Sequence, residues 1–406
     1  MSDPSANNVT SFDFTSAPSK VTRFRADNRL PIISAIRSAA LCGLLAVLVF
    51  CIFHYHEDLN LQNIRRTVSY IDKLTFSGSE IDTFHFDTGL STSYEAFDIG
   101  IATVSGGNFH FIPPFEGMDY SEQVKYSQPK LKVSGKSIFV YDLGGKGLTR
   151  MSSYSKLAET TLESKILALS GNDNGQCAVV TDEEGYRTAL TVFDKHLNEI
   201  YKWQTSDHFA FLPALSPNGK TAAVLCIGQQ GGASNFYVRY QPLNGDECTV
   251  TIQLGDRRVY AMEYADDDRL LILCEEGLLA YDDQGALLAE YPFAAGSLIT
   301  FAYGHDGSFA LSLKGDHGDT SRLLVLNELC EVLFDGTYEG DIRTIDYADR
   351  TLAFLSGSQL YCVNTIENTV VDTELSGVRG LLITGGGKVT AVLGDRAVIV
   401  DFPQGE

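Results

Sequence analysis

From Phe76 onward, apolar and polar residues alternate in short runs, and each run ends in a cluster of Gly, Asn, Asp or Ser. Period-two alternation between such clusters predicts half-buried β-strands joined by tight turns. The turns recur at Asp98–Gly100, Ser134–Lys136, Asn172–Gly175, Ser216–Lys220, Asp266–Asp268, His305–Gly307, Ala348–Arg350 and Gly385–Lys388. Gly supplies positive φ there, while Asn and Asp satisfy neighbouring backbone groups. A third strand-like segment follows each turn, marked by Phe109, Thr149, Val192, Val238, Leu279, Leu324, Tyr361 and Val398, at intervals of 40, 43, 46, 41, 45, 37 and 37 residues. Fourth-strand segments include EIYKW, CTVTIQL, LLAEY, EVLFD and TVVDT. This spacing suits four-stranded propeller blades.

The chain ends at Asp401–Glu406 before the last unit can form a fourth strand, and a spare strand, Ile81–Asp87, precedes the first unit. If residues 81–87 complete the last blade, the ring closes and no sheet edge stays open. The expected fold is all-β: an eight-bladed β-propeller over residues 76–406, with seven blades as the competing count.

Before Phe76 the pattern is different. Ser38–Tyr55 carries no Asp, Glu, Lys or Arg, and Lys20, Arg23, Arg25, Arg29 and Arg37 precede it against a single Asp27. Eighteen helical residues rise about 27 Å, close to the hydrocarbon thickness of a bilayer. Pro31–Ile36 lengthen the helix if Arg37 extends its guanidinium to the interface. A single N-terminal transmembrane helix over 31–55 is therefore expected, its basic flank cytoplasmic and the propeller extracytoplasmic. The predicted location is the plasma membrane. The apolar run begins too far from Met1, and lacks the small-residue cleavage site, for a removed signal peptide. Residues 1–30 read as a disordered tail and 56–75 as a juxtamembrane stalk with an imperfect helical stripe.

Charge narrows the partners. The 52 acidic residues outnumber the 31 basic ones, giving a net charge of −21. A nucleic-acid partner is excluded on this reading, because phosphate backbones need a concentrated positive surface. Of the eight cysteines, Cys42 and Cys51 fall in the apolar run. Cys177, Cys226, Cys248, Cys274, Cys330 and Cys362 lie outside it without Cys-x-x-Cys spacing, several in strand-like runs, and read as free, buried thiols.

No residue pattern specifies a reaction. Asp266–Asp268 and Asp182–Glu184 read as exposed turns, and Asp316–Asp319 lacks the length and oxygen spacing of a calcium loop. There is no GxSxG elbow. His196, His208, His305 and His317 fall in or near turns, and His54 and His56 are spaced wrongly to share a helix face. Gly385–Lys388 is a hairpin without the rest of a phosphate loop. Neither a cofactor nor a metal is expected. Longer departures from the minimal repeat are PPFEGMDYSEQ after Ile112, the stretch Trp203–Phe211, and Gly228–Asn235. Read as rim loops, they offer Phe115, Met118, Tyr120, Trp203, His208 and Phe209 as candidate binding residues for a peptide or glycan.

Turns such as SPNGK followed by TAAVLCI resemble those of the broad WD40-like and quinoprotein-like propeller group. The layout of basic tail, helix and propeller is similar to membrane-anchored propeller proteins of clostridial gut bacteria, whose family has no established activity, so the resemblance implies no catalytic residue. The WD dipeptide is absent, Trp203 is the sole tryptophan, and no repeated tryptophan docking motif occurs. A quinone cofactor is therefore not implied. The expected function is a tethered extracytoplasmic propeller that binds or scaffolds an envelope or membrane protein without catalysis. The alternatives are an anchored carbohydrate-active hydrolase or lyase, and a ligand-sensing domain.

Overall fold

The computed structural model describes residues 37–47, 49, 82–86, 92–115, 119–230, 233–245, 248, 250–304, 306–385 and 387–400, with backbone alone at 229, 230, 233 and 234. The chain divides into two units, residues 1–56 and 57–406. In the first, residues 37–47 and 49 are helical, and Leu41, Leu44, Leu45, Val47 and Val49 are exposed. No helix of the described residues is long and apolar enough to cross a membrane. Residues 31–36, 48 and 50–55 of the expected span lie outside the described residues, as do the expected tail (1–30) and stalk (56–75), His54, His56 and Met118.

The second unit is an eight-bladed β-propeller: eight four-stranded antiparallel sheets, in seven of which every strand is bonded to its neighbour in the chain. Blades 1 to 7 occupy residues 93–123, 129–161, 165–205, 209–255, 259–292, 298–339 and 345–374. Blade 8 takes three strands from 380–399 and its outermost strand, Thr83–His85, from the start of the domain. Thr83, Phe84 and His85 pair with Val398, Ala397 and Arg396. All eight sequence turns join the first and second strands of a blade.

The second strand of each blade is buried on both faces, which is why it reads as an almost continuous apolar run rather than an alternating one. In blade 5, Leu270, Ile272 and Cys274 point toward blade 4, and Leu271 and Leu273 toward blade 6. Blade 4 repeats the device: Ala222, Val224 and Cys226 face blade 3, and Ala223 and Leu225 face blade 5. The core is thus eight hydrophobic clusters, one at each seam between neighbouring blades. Phe84, 1% exposed, packs with Leu382, Val392 and Ala397 of blade 8 and Ile101 of blade 1. The ring-closing strand therefore also closes the last seam.

Cysteines follow the apolar pattern. Cys177, Cys226, Cys274 and Cys330 are buried thiols, while Cys248 and Cys362 are half-buried. Burial pushes Cys226 and Cys274 up to about 12 and Cys330 to about 11, which makes them poor nucleophiles at neutral pH.

The first strand of each blade is innermost, and its free edge faces the central channel. Two carboxylates satisfy backbone donors there. Glu95 Oε2 accepts the N–H of Val133 in blade 2 at 2.7 Å, and Asp346 Oδ2 accepts that of Ile383 in blade 8 at 2.6 Å. Lys132 of blade 2 reaches across the channel to Glu263 of blade 5, Nζ to Oε1 3.1 Å. Burial, opposed by Lys132, leaves the Glu95 carboxyl above its ordinary value, and Glu263 above all raises Lys132.

The turns on one rim are also tied together. Asn172, 3% exposed, accepts the N–H groups of Asn174 and Gln176 through Oδ1, shaping the blade 3 turn. Its Nδ2 donates to the Ser216 carbonyl of the blade 4 turn at 3.1 Å. The Asn218 N–H of that turn donates to Asp267 Oδ1 of blade 5 at 2.7 Å. Asn172→Ala strands these partners, and is expected to cost about 2–3 kcal/mol in urea unfolding. Asp173→Ala, at the neighbouring exposed position, should cost less than about 0.5 kcal/mol.

Candidate ligand cleft between blades 3 and 4

The six candidate residues separate. Phe115 forms an isolated bridge beyond the third strand of blade 1, and Met118 lies outside the described residues. Tyr120 is not on a rim loop: it opens the fourth strand of blade 1, pairs with Phe111, and is 8% exposed. Its ring meets Phe109 edge-on at 6.2 Å, so it belongs to the core. Trp203, His208 and Phe209 do come together, at the seam of blades 3 and 4.

Their stretch is not a long loop either. Trp203 lies in the outermost strand of blade 3 (Glu199–Thr205), and Phe209 opens the innermost strand of blade 4 (Phe209–Leu215). Three residues, Ser206, Asp207 and His208, connect them. Two buried threonines fix this connection: the His208 N–H donates to Thr205 Oγ1 at 3.3 Å, and the Ala210 N–H donates to Thr188 Oγ1 at 2.9 Å.

The opposite wall comes from the third strand of blade 4 (Ala233–Pro242). Alternation there sends Val238 and Tyr240 toward blade 5 and Tyr237 toward blade 3, with Arg239 on the same side as Tyr237. The His208 ring stands edge-on to Tyr237, centroids 5.3 Å apart. Arg239 lies over Trp203, its guanidinium 5.1 Å from the ring centroid, and Arg187 lies over Phe209 at 5.6 Å. His208, Tyr237 and Arg239 line a cavity of about 490 Å³ together with Asp207, Gly228, Asn235, Thr251 and Gln253; Trp203, Phe209 and Arg187 stand beside it.

Gly228 forms its floor. A Cβ there would sit 3.4 Å from the Tyr237 ring, 3.7 Å from His208 Nδ1 and 3.8 Å from the Tyr237 hydroxyl. Two polar atoms thus converge on the space that the glycine leaves open. The Tyr237 hydroxyl and Arg239 Nε are both buried without a hydrogen-bond partner; the hydroxyl is near the Cys226 thiol, a weak sulfur partner without hydrogen-bond geometry. Burial, then the positive charge of Arg239, hold the His208 imidazole below its ordinary value, with Arg187 adding to this and Asp207 opposing it. The imidazole is therefore neutral at pH 7 and carries one donor and one acceptor nitrogen.

Sequence reasoning did not single out Tyr237 or Arg239, and it read Gly228–Asn235 as a rim loop, whereas Gly228 lies in the second strand of blade 4 and Asn235 in the third. The available signal was an arginine inside the blade-4 run FYVRY, where both strand faces should be apolar.

A second cavity, of about 560 Å³, lies along blade 3 beside the last strand of blade 2 and includes Glu163, Glu183, Glu199 and Lys202. Glu183 is not the exposed turn residue expected from sequence: it is 8% exposed and accepts bonds from Lys202, Gln204 and Thr181. Burial works to raise its pKa, but hydrogen bonds from Lys202, Ser164 and Gln204 outweigh it and hold the carboxyl low. A carboxylate held ionised in this way is unsuited to donate a proton. Among the described residues no cluster of three or more His, Cys, Asp or Glu is placed to hold a metal ion.

The fold has many solved counterparts. The C-terminal WD40 domain of Sif2 aligns at a TM-score of 0.55 with 11% identity, covering 80% of this chain and 98% of that one. The Dos1 propeller aligns at 0.52 with 10% identity, covering 80% and 95%. BamB from Moraxella catarrhalis aligns at 0.49 with 15% identity, covering 81% and 98%. At these identities the likeness is one of fold. No curated protein matches the sequence. Residues 76–397 match the model of a family described as "Family of unknown function (DUF5711)", and the chain belongs to that family.

Proposed function

We propose that this protein is a single-pass membrane protein whose propeller lies on the extracytoplasmic side and binds or scaffolds another envelope protein. The observation that carries the binding role is the cleft between blades 3 and 4. Phe209, 48% accessible, is exposed beside it, and two arginines lie over aromatic rings at this seam, of which Arg239 lines the cavity. Aromatic and arginine side chains on a rigid frame are typical anchors of protein interfaces. Support for the tether comes from the uncharged run Ser38–Tyr55 and its basic flank, together with the exposed apolar side chains of helical residues 37–47.

Protease treatment of intact cells carrying an N-terminal tag tests the topology. The expected outcome is loss of the propeller and survival of a short tagged fragment. A propeller that stays intact until the cells are lysed would overturn the proposed side of the membrane. Crosslinking followed by purification through the propeller tests the partner: a stoichiometric envelope protein is expected, and it should be lost in Phe209→Ser.

A further inference from the structure

We infer that the cleft between blades 3 and 4 is a carboxylate-binding pocket that seats an acidic side chain of an extended peptide. The inference rests on the binding role proposed for this cleft and adds the chemistry of the occupant.

Five arginines elsewhere in this acidic chain have an acidic neighbour: Arg257, Arg258, Arg269, Arg322 and Arg343 each have a carboxylate oxygen within 4.0 Å. Arg239 and Arg187 have aromatic rings instead and make no ion pair among the described residues. Stacking fixes the plane of a guanidinium and leaves its N–H edge for a carboxylate, which it matches in a two-bond fork. Both guanidiniums lie close enough to His208 to act on its charge, and Asp207 is the one carboxylate lining the cavity. The cleft is a locally basic pocket in a chain of net charge −21.

The polar complement is built into the wall. Tyr237 is 7% exposed, and its hydroxyl has only the weak Cys226 thiol beside it. That hydroxyl and His208 Nδ1 face the space above Gly228. A carboxylate entering there would accept from the arginine, the phenol and the imidazole N–H, supplying what a buried unpaired donor lacks.

Two features favour a peptide over a free anion. Phe209 at the rim offers apolar contact to the residue next to the acid. The third strand of blade 4 pairs with the outermost strand only from Phe236 to Tyr240, so Ala233–Asn235 present an open strand edge beside the cleft. Extended peptides add to such edges, with a side-chain pocket providing specificity.

Trp203 is the sole tryptophan, and Arg239 sits over its ring, so tryptophan emission from the full chain in detergent reports on the pocket directly. The probes are an N-acetylated, C-amidated hexapeptide with a central Glu, its Gln counterpart, glutarate and inorganic phosphate. Saturable change with the Glu peptide is expected, with the Gln peptide at least about tenfold weaker and glutarate weaker than the Glu peptide. Arg239→Gln should lose binding, and Arg239→Lys should retain part of it. Gly228→Ala, whose Cβ meets Tyr237 and His208 first, should weaken it at least about tenfold. Equal response to the Glu and Gln peptides, response to phosphate alone, or no saturable response in the wild-type chain would each overturn the inference. Carboxylate binding without a crosslinked envelope partner would instead leave the pocket standing and remove the proposed scaffold role.

Discussion

Phe84→Ala is expected to destabilise the propeller by about 3–5 kcal/mol, the largest effect of any single truncation considered. The strand that carries it has only three residues, Thr83–His85, and supplies the whole outer edge of blade 8. Phe84 is the buried member of that strand and reaches Ile101 in blade 1 as well as Leu382 and Ala397 in blade 8. Its loss removes a full aromatic side chain from a dry seam and loosens the joint between the two ends of the domain. His85→Ala, on the exposed face of the same strand, should change stability by less than about 0.5 kcal/mol. Urea unfolding of the two variants checks this. A Phe84 variant within about 1 kcal/mol of wild type would show that the ring does not depend on this strand for closure.

The second large effect lies in the channel. Lys132→Met removes the cation facing Glu263 and Glu95, with Asp346 also acting on Glu95. Breaking a sealed ion pair costs about 3–5 kcal/mol. Here the side chains of Lys132 and Glu263 keep 36% and 25% of their accessible surface, so water screens part of the loss and about 1–3 kcal/mol is expected near pH 8.

The pH dependence has a definite sign. Lys132 has a raised folded pKa, so its stabilising contribution is complete below its unfolded value of 10.5 and is lost as pH rises through the folded value. Glu95 also has a raised folded pKa. For a carboxyl this favours the fold below the unfolded value of 4.5, and that contribution is lost as pH rises through the folded value. Without Lys132 the Glu95 shift grows, so the deficit of the variant should shrink as pH falls from 8 toward 5. Adding Glu263→Gln should recover part of it. Urea unfolding at both pH values distinguishes this from a packing defect, which would leave a constant deficit, as would the exposed control Lys125→Met with its near-zero effect.

The architecture was legible because propeller blades announce themselves locally. Turn chemistry at Asn172–Gly175 or Ser216–Lys220 depends on nearest neighbours, and the apolar second strands follow from burial on both faces. Eight repeats of that local signal are enough to count the blades. The cleft was only partly legible. The stretch Trp203–Phe211 reads as a rim loop, whereas most of it is strand and two buried threonine hydroxyls hold the three-residue connection within it. Tyr120 looked like a loop aromatic because its stretch begins with two prolines, yet its ring completes the core between blades 1 and 2. Arg239 and Tyr237 were invisible as site residues because their partners lie elsewhere in the chain, Trp203 in blade 3 and His208 in the connection between the blades. A seam between blades is a relation between distant segments, and no local pattern encodes it.

The seam of blades 3 and 4 is proposed as the face that meets an envelope partner. A photo-crosslinking residue placed at Phe209, compared in intact cells with one at the equally exposed Val370 of blade 7, tests it most directly. One discrete envelope-protein adduct is expected from position 209 and none from position 370. The same adduct from position 370 but not 209, or adducts to cytoplasmic proteins alone, would contradict it.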